Sequence, residues 1–133
     1  MNKKQKYLMP VAIAILLLFI AASGTKPLIE AKLEELKDLT ISHVDLSKIE
    51  DGVYTGKHKV FPILAEVEVT VNNHAITKIE LLKHDNGRGS AAEIIPDKVV
   101  EGQTLKIDAI SGATYSSKII LKAIENALTG ADN

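Results

Sequence analysis

The 133-residue chain contains no cysteine. That absence excludes disulfides, thiolate metal sites, a lipobox and the Cys-x-x-Cys-His attachment of c-type haem, and it leaves the fold indifferent to the redox state of its compartment. Charge of one sign is missing too: 16 Lys and Arg stand against 17 Asp and Glu, a net charge of −1. No basic surplus exists to attract a polyanion, which argues against nucleic-acid binding. Aromatic residues are scarce, and Tyr54 and Tyr115 are the only tyrosines beyond the N-terminal segment. His43, His58 and His74 are scattered without metal-ligand spacing and read as surface residues.

The first stretch that is present is apolar. Lys3, Lys4 and Lys6 precede a run from Leu8 to Ala22, followed by Ser23, Gly24 and Thr25. Such a segment enters a membrane, with the lysines retained in the cytoplasm. The run is a little shorter than the roughly 18 to 20 residues of a spanning helix, and its flanking residues extend it. Two outcomes remain open: cleavage after Ser23, which with Ala21 fits the small-residue rule and gives a secreted protein, or an uncleaved anchor in the cell membrane. Both put the remainder outside the cytoplasm. The expectation is residues 1–26 as anchor or signal, 27–50 as stalk and connector, and 51–133 as the folded domain.

From Pro27 to Leu39, the residues Leu28, Ile29, Leu33 and Leu36 recur at helical spacing among charges. This is an amphipathic stalk. In the connector, Ile41, Val44, Leu46 and Ile49 are the packing points. Val53 to Val60 reads as a strand, ended by Phe61-Pro62. Ile63 to Val71 alternates Val67, Val69 and Val71 with Glu66, Glu68 and Thr70, as a strand with one wet face requires. Asn72, Asn73 and His74 turn the chain, and Ala75 to His84 returns as a third strand. Glu66, Glu68 and Glu80 belong to the wet face of the sheet and do not form a catalytic pair.

A polar loop of Asp85, Asn86, Gly87, Arg88, Gly89 and Ser90 leads to a helical turn at 91–95, and Pro96 starts a helix that Gly102 ends. Leu105 to Ile110 is expected as a further strand. The last helix runs from Thr114 or Ser116 to Leu128, with Ile119, Ile120, Ala123, Ile124, Ala127 and Leu128 on one face and Gly130 as its stop. The fold class is α+β, a small antiparallel sheet with helices packed on one side, preceded by the membrane-entry helix.

The junction at Asp108-Ala109-Ile110-Ser111-Gly112-Ala113-Thr114-Tyr115-Ser116-Ser117 concentrates small and hydroxylic residues where a strand-like run becomes a helix. A loop that opens a helix aims free backbone N–H groups and the positive end of the dipole at an anion, most often a phosphate. Caps are the simpler use of Ser111 and Ser116. Asp108 serves equally well as a turn acceptor.

The order of elements and the residues at their joints resemble the FMN-binding domain family. The match runs from Asp51 to about Leu128 and includes Asp51-Gly52-Val53-Tyr54-Thr55-Gly56, the loop with His84 and Gly87-Arg88-Gly89, and Asp108 followed by Ser111-Gly112-Ala113-Thr114-Tyr115-Ser116. The resemblance implies that a flavin transferase recognises the last segment and esterifies the FMN half of FAD to Thr114. It further implies flavin contacts from Ser111, Gly112, Ala113, Tyr115, Ser116 and Asp108, and from His84, Arg88 and Tyr54. On this reading the chain is an electron carrier more than an enzyme, tethered by its N-terminus between a membrane oxidoreductase or quinone-linked donor and an extracytoplasmic acceptor. A non-covalent FMN-binding redox sensor and a cofactor-free secreted binding module are the alternatives.

Overall fold

The computed structural model describes residues 2–85 and 89–131. The chain forms two compact units, one up to Lys32 and one from Leu33 onward. The apolar run and the amphipathic stretch are one continuous helix, α1 (Lys3–Lys37). Its segment Lys3–Ala21 has 19 residues, a mean hydropathy of 1.6 and no buried side chains. At the α-helical rise it is about 28 Å long, close to the thickness of a hydrocarbon core.

The unit from Leu33 onward is a three-stranded antiparallel meander, β1 (Gly52–Val60), β2 (Ile63–Asn72) and β3 (Ala75–Asp85), in the order β1-β2-β3. The β2 alternation holds throughout: Ile63, Ala65, Val67, Val69 and Val71 are buried, and the residues between them are half-exposed. A two-residue turn at Asn73 and His74, with φ of 50° and 58°, joins β2 to β3 in the hand that matches strand twist. α3 (Thr114–Thr129) covers the inner face of the sheet with the apolar side expected of it, Ile119, Ile120, Ala123, Ile124, Ala127 and Leu128 all being buried. Leu36 joins this core at 1% exposure, and Leu33, Leu39, Ile41, Val44, Leu46 and Ile49 pack around it.

β1 meets α3 through Gly56. A Cβ built there would lie on the backbone of Ala123 and Ala127, 2.7 Å from the Ala127 Cα. The absence of a side chain is therefore what lets strand and helix approach. Asn126, buried in α3, ties the same contact by donating from Nδ2 to the Lys57 carbonyl at 2.8 Å. His58 also faces inward, and its Nδ1 is buried without a hydrogen-bond partner. Burial and the nearby Lys122 charge hold its pKa below the usual value, against the pull of Glu125. The expectation of a surface residue thus fails for His58. The parity of β1 turns it toward α3, whereas His43 and His74 are exposed.

Two register shifts give β3 its faces. Val71 pairs with Ile76 and Thr70 with Lys78, which leaves Thr77 unpaired; Val67 pairs with Leu81 and Glu66 with Lys83, which leaves Leu82 unpaired. These β-bulges let Ile76, Ile79, Leu81 and His84 share the inner side despite their uneven spacing.

A 310 turn (Ser90–Ile94) leads into α2 (Ile95–Gly102), with Pro96 in its first turn and Val99 buried. The helix ends at Gln103 in the left-handed region, φ 52° and ψ 36°. The Gln103 amide then acts as a neighbouring strand would: Oε1 accepts from the Ile76 N–H at 2.8 Å and Nε2 donates to the Ile76 carbonyl at 2.7 Å. Leu105 to Ile110, expected as a strand, pairs with none of the three strands. Its alternating Leu105 and Ile107 turn inward, so the pattern reflects packing beneath an extended segment and not a ladder.

Candidate functional site

The segment from Asp108 to Ser117 is a turn stapled to the start of α3. The Ala113 N–H donates to the Ile110 carbonyl at 2.9 Å, closing a four-residue turn with Gly112 third at φ 79°. A type II turn requires that positive φ, which glycine adopts without steric cost. Ser117 fastens the turn from inside the helix. Its Oγ donates to the Ala113 carbonyl at 2.7 Å and accepts from the Ile110 N–H at 3.0 Å.

The result is an unusual helix start. The N-cap is Ala113, buried and without a side-chain cap bond. Alanine ranks far below Ser, Thr, Asn and Asp at this position, and a cap there is worth about 1 kcal/mol. Ser111 and Ser116, expected as caps, do not cap. Ser111 is exposed in the turn, and Ser116 is 1% exposed with its Oγ 3.0 Å from His84 Nε2. The expectation fails because His84, brought inward by the Leu82 bulge, takes that hydroxyl instead. The first-turn N–H groups are thus left without a side-chain acceptor among the described residues. A phosphate oxygen is the kind of acceptor that fits them.

Thr114 is the exposed member of the run from Ala113 to Ser117. Its neighbours are buried or, for Tyr115, half-buried against the core. Asp108, Ala109, Ser111 and Gly112 are exposed beside it, and nothing lies within 4 Å of the place a Gly112 Cβ would occupy. A bulky partner therefore has access to the threonine hydroxyl from the turn side.

Two depressions flank the extended segment. One, of about 370 Å³, is lined by Leu39, Ile41, Leu105, Ile107, Leu121 and Lys118, among others. The other, of about 500 Å³ and more open, is lined by Lys98, Glu101, Lys106, Asp108 and Ser111, among others. Lys118 stands one helical turn after Thr114 on the same side of α3, and its Nζ donates to the Lys37 carbonyl. Sequence reading passed over Lys118, although the spacing of four from Thr114 marks it.

Of the residues expected at the site, Asp108, Ser111, Gly112, Ala113, Thr114, Tyr115 and Ser116 are contiguous, and His84 joins them through Ser116. Tyr54 does not. It lies two residues before Gly56, which touches the Ala123 and Ala127 end of α3, and its hydroxyl donates to the Glu50 carbonyl at 2.7 Å. Arg88, also expected here, falls outside the described residues. Glu93 was missed: its Oε1 is 3.0 Å from His84 Nδ1, and an isolated acid nine residues after a histidine carries no sequence signal.

Residues 64–129 match the model of the FMN-binding domain. The chain is 33% identical over 112 residues, 82% of its length, to NADH:acrylate oxidoreductase of Vibrio harveyi. It is also 37% identical over 65 residues, 47% of its length, to urocanate reductase of Eggerthella lenta. These stretches are 11% of each relative, so the chain corresponds to a small part of either protein. From β2 to the end of α3, this chain is an FMN-binding domain and belongs to that family.

Proposed function

We propose that the protein is a membrane-tethered, extracytoplasmic electron carrier that holds FMN through a phosphoester on Thr114. The observation that carries this reading is an exposed threonine hydroxyl at a helix start whose own serines are engaged elsewhere. Esterification joins Thr114 Oγ to the FMN phosphorus as the pyrophosphate bond of FAD breaks; AMP departs and the hydroxyl proton is lost. The product keeps one negative charge at the positive end of the α3 dipole, a placement worth about 0.3 to 1 kcal/mol. When bound, FMN supplies reversible uptake of one or two electrons.

The chain's own residues attach and orient that group. Thr114 provides the bond, the first-turn N–H groups face the phosphate, and Gly112 leaves the approach clear. Tyr115, Asp108 and Ser111 border the turn. Lys3, Lys4 and Lys6 ahead of the apolar helix favour a cytoplasmic N-terminus and an outside domain. A covalent bond prevents loss of the cofactor to the medium. A tether raises the carrier's local concentration beside a membrane oxidoreductase or quinone-linked donor and an outside acceptor.

The test is co-expression of the exported chain with a flavin transferase, followed by denaturation. The denatured wild type is expected to fluoresce in a gel and to carry the added mass of FMN less water, and Thr114→Ala to lose both. Label retained by Thr114→Ala would sink the assignment. Flavin that washes out of the denatured protein would indicate a non-covalent sensor, and a colourless protein a cofactor-free module.

A further inference from the structure

Of the two depressions beside the extended segment, the smaller continues the stripe of α3 that begins at Thr114. Thr114, Lys118 and Leu121 follow one another at spacings of four and three residues, which puts them on one face of the helix. Lys118 and Leu121 line the cleft of about 370 Å³, whereas the described residues lining the larger depression include none from α3. Side chains on a helix lean toward its N-terminus, so both tilt toward the attachment turn. From Thr114 to Leu121 the helix rises about 10 Å, a distance that an extended phosphate and ribityl chain covers.

The cleft suits a flat apolar ring. Its walls come from three parts of the chain: Leu39 and Ile41 of the connector, Leu105 and Ile107 of the extended segment, and Leu121 of α3. Small-molecule sites of about 300 to 1,000 Å³ pair such apolar walls with a few polar groups, and this cleft falls in that range. The larger depression offers instead Lys98, Glu101, Lys106 and Asp108, a charged and open surface against which an aromatic ring gains little.

The polar group of the cleft is a fixed cation. Lys118 is half-buried, and its Nζ donates to the Lys37 carbonyl, which leaves further N–H donors on the same ammonium. Lys106 and His43 also line the cleft, and both are exposed. Two electrons and one proton added to an isoalloxazine leave a negative charge along its N1–C2=O edge, and a cation held beside that edge favours the reduced form.

We propose that this cleft seats the isoalloxazine ring of the FMN on Thr114, between the connector and the extended segment, with the Lys118 ammonium against the ring edge that becomes negative on reduction. The inference deepens the Thr114 reading and rests on it. Leu39 and Ile41 thereby become part of the cofactor site, which extends outside the stretch 64–129 matched by the family model.

The experiment uses the full-length protein labelled with FMN by purified flavin transferase and FAD. Melting curves confirm that each variant is folded, and peptide masses confirm the label on Thr114. The chain has no tryptophan, so one introduced indole reports where the ring lies, because contact between the two quenches flavin emission. Ser42 is an exposed residue of the cleft whose backbone N–H bonds to Glu125, and Ser42→Trp keeps that bond. This variant is expected to lose most of its flavin emission. Glu101→Trp in the larger depression and Val53→Trp on β1 are expected to stay near the wild type. Should Ser42→Trp fail to fold, His43→Trp makes the same comparison. In redox titrations, Lys118→Met is expected to weaken two-electron reduction about tenfold, a potential lower by about 30 mV. Lys118→Arg is expected to stay close to the wild type, and Lys106→Met to shift less than Lys118→Met. Undiminished emission in the cleft variant, stronger quenching by Glu101→Trp than by Ser42→Trp, or an unchanged potential in Lys118→Met would each overturn the proposal. A wild type without label on Thr114 would overturn the Thr114 reading and this one with it; a labelled Thr114 with no quenching from the cleft would overturn this one alone.

Discussion

Gly56→Ala is expected to be the most damaging single-methyl change in the sheet. The added Cβ would overlap the Ala123 carbonyl oxygen and the Ala127 N–H, and would sit 2.7 Å from the Ala127 Cα. Carbon atoms rest at about 3.5 to 4.0 Å, so the α3 backbone must retreat from β1 by about 1 Å. No flexible side chain is available to yield, because the atoms met are all backbone. Overpacking a core by one methyl costs about 1 to 3 kcal/mol, and a clash between two backbones belongs at the upper end. In a domain of this size 3 kcal/mol lowers the melting temperature by about 12 to 24 °C. Circular dichroism melts of the full-length protein in detergent, read as loss of β signal, measure this directly. Since α3 carries Thr114 at its start, the same variant is expected to label more slowly with flavin at temperatures where it is still folded. A melting temperature within about 2 °C of the wild type would refute the claim that the glycine is required by the β1–α3 approach.

Three further outcomes follow from groups packed around that sheet. His58 has a folded-state pKa below its usual 6.5, so it opposes folding only when protonated. Stability is therefore full above about pH 6.5 and falls as the pH drops through that value toward the lowered one. Urea titrations at about pH 8 and pH 5.5 are expected to show this loss, and His58→Leu to reduce it. Asn126→Leu leaves the Lys57 carbonyl without its 2.8 Å donor and is expected to cost about 1 to 3 kcal/mol in denaturant unfolding. Gln103→Gly relieves a left-handed backbone but removes the two bonds to Ile76, and is expected to destabilise by about 1 to 2 kcal/mol. Hydrogen exchange at the Ile76 amide should rise in that variant.

Much of this architecture was legible in the chain. The valine alternation of β2, the Asn73-His74 turn and the apolar face of α3 each follow one period, and the structure repeats them. Asp108 to Ser117 announced a turn and a helix start because glycine and hydroxyls there have few other uses. What escaped were features fixed by partners distant in sequence. Leu105 to Ile110 has the composition of a strand, yet the Gln103 amide satisfies Ile76 where a fourth strand would begin. His58 looked like a surface residue until strand parity set it against α3. The Glu93–His84–Ser116 chain depends on a bulge that no local pattern marks, so two serine caps were expected where neither forms.

The two unpaired residues of β3 also govern how this sheet tolerates changes in length. In an evenly paired strand, losing a residue sends every later side chain to the opposite face. Here Leu82 and Thr77 are supernumerary, since the pairs on either side of each already step regularly along β2. Removing Leu82 would leave Leu81 opposite Val67, Lys83 opposite Glu66 and His84 opposite Ala65. Sequence drift in this fold thus has two positions where a codon can vanish without turning the sheet inside out. The one at Leu82 lies two residues before His84, the histidine that meets Ser116 in the first turn of α3.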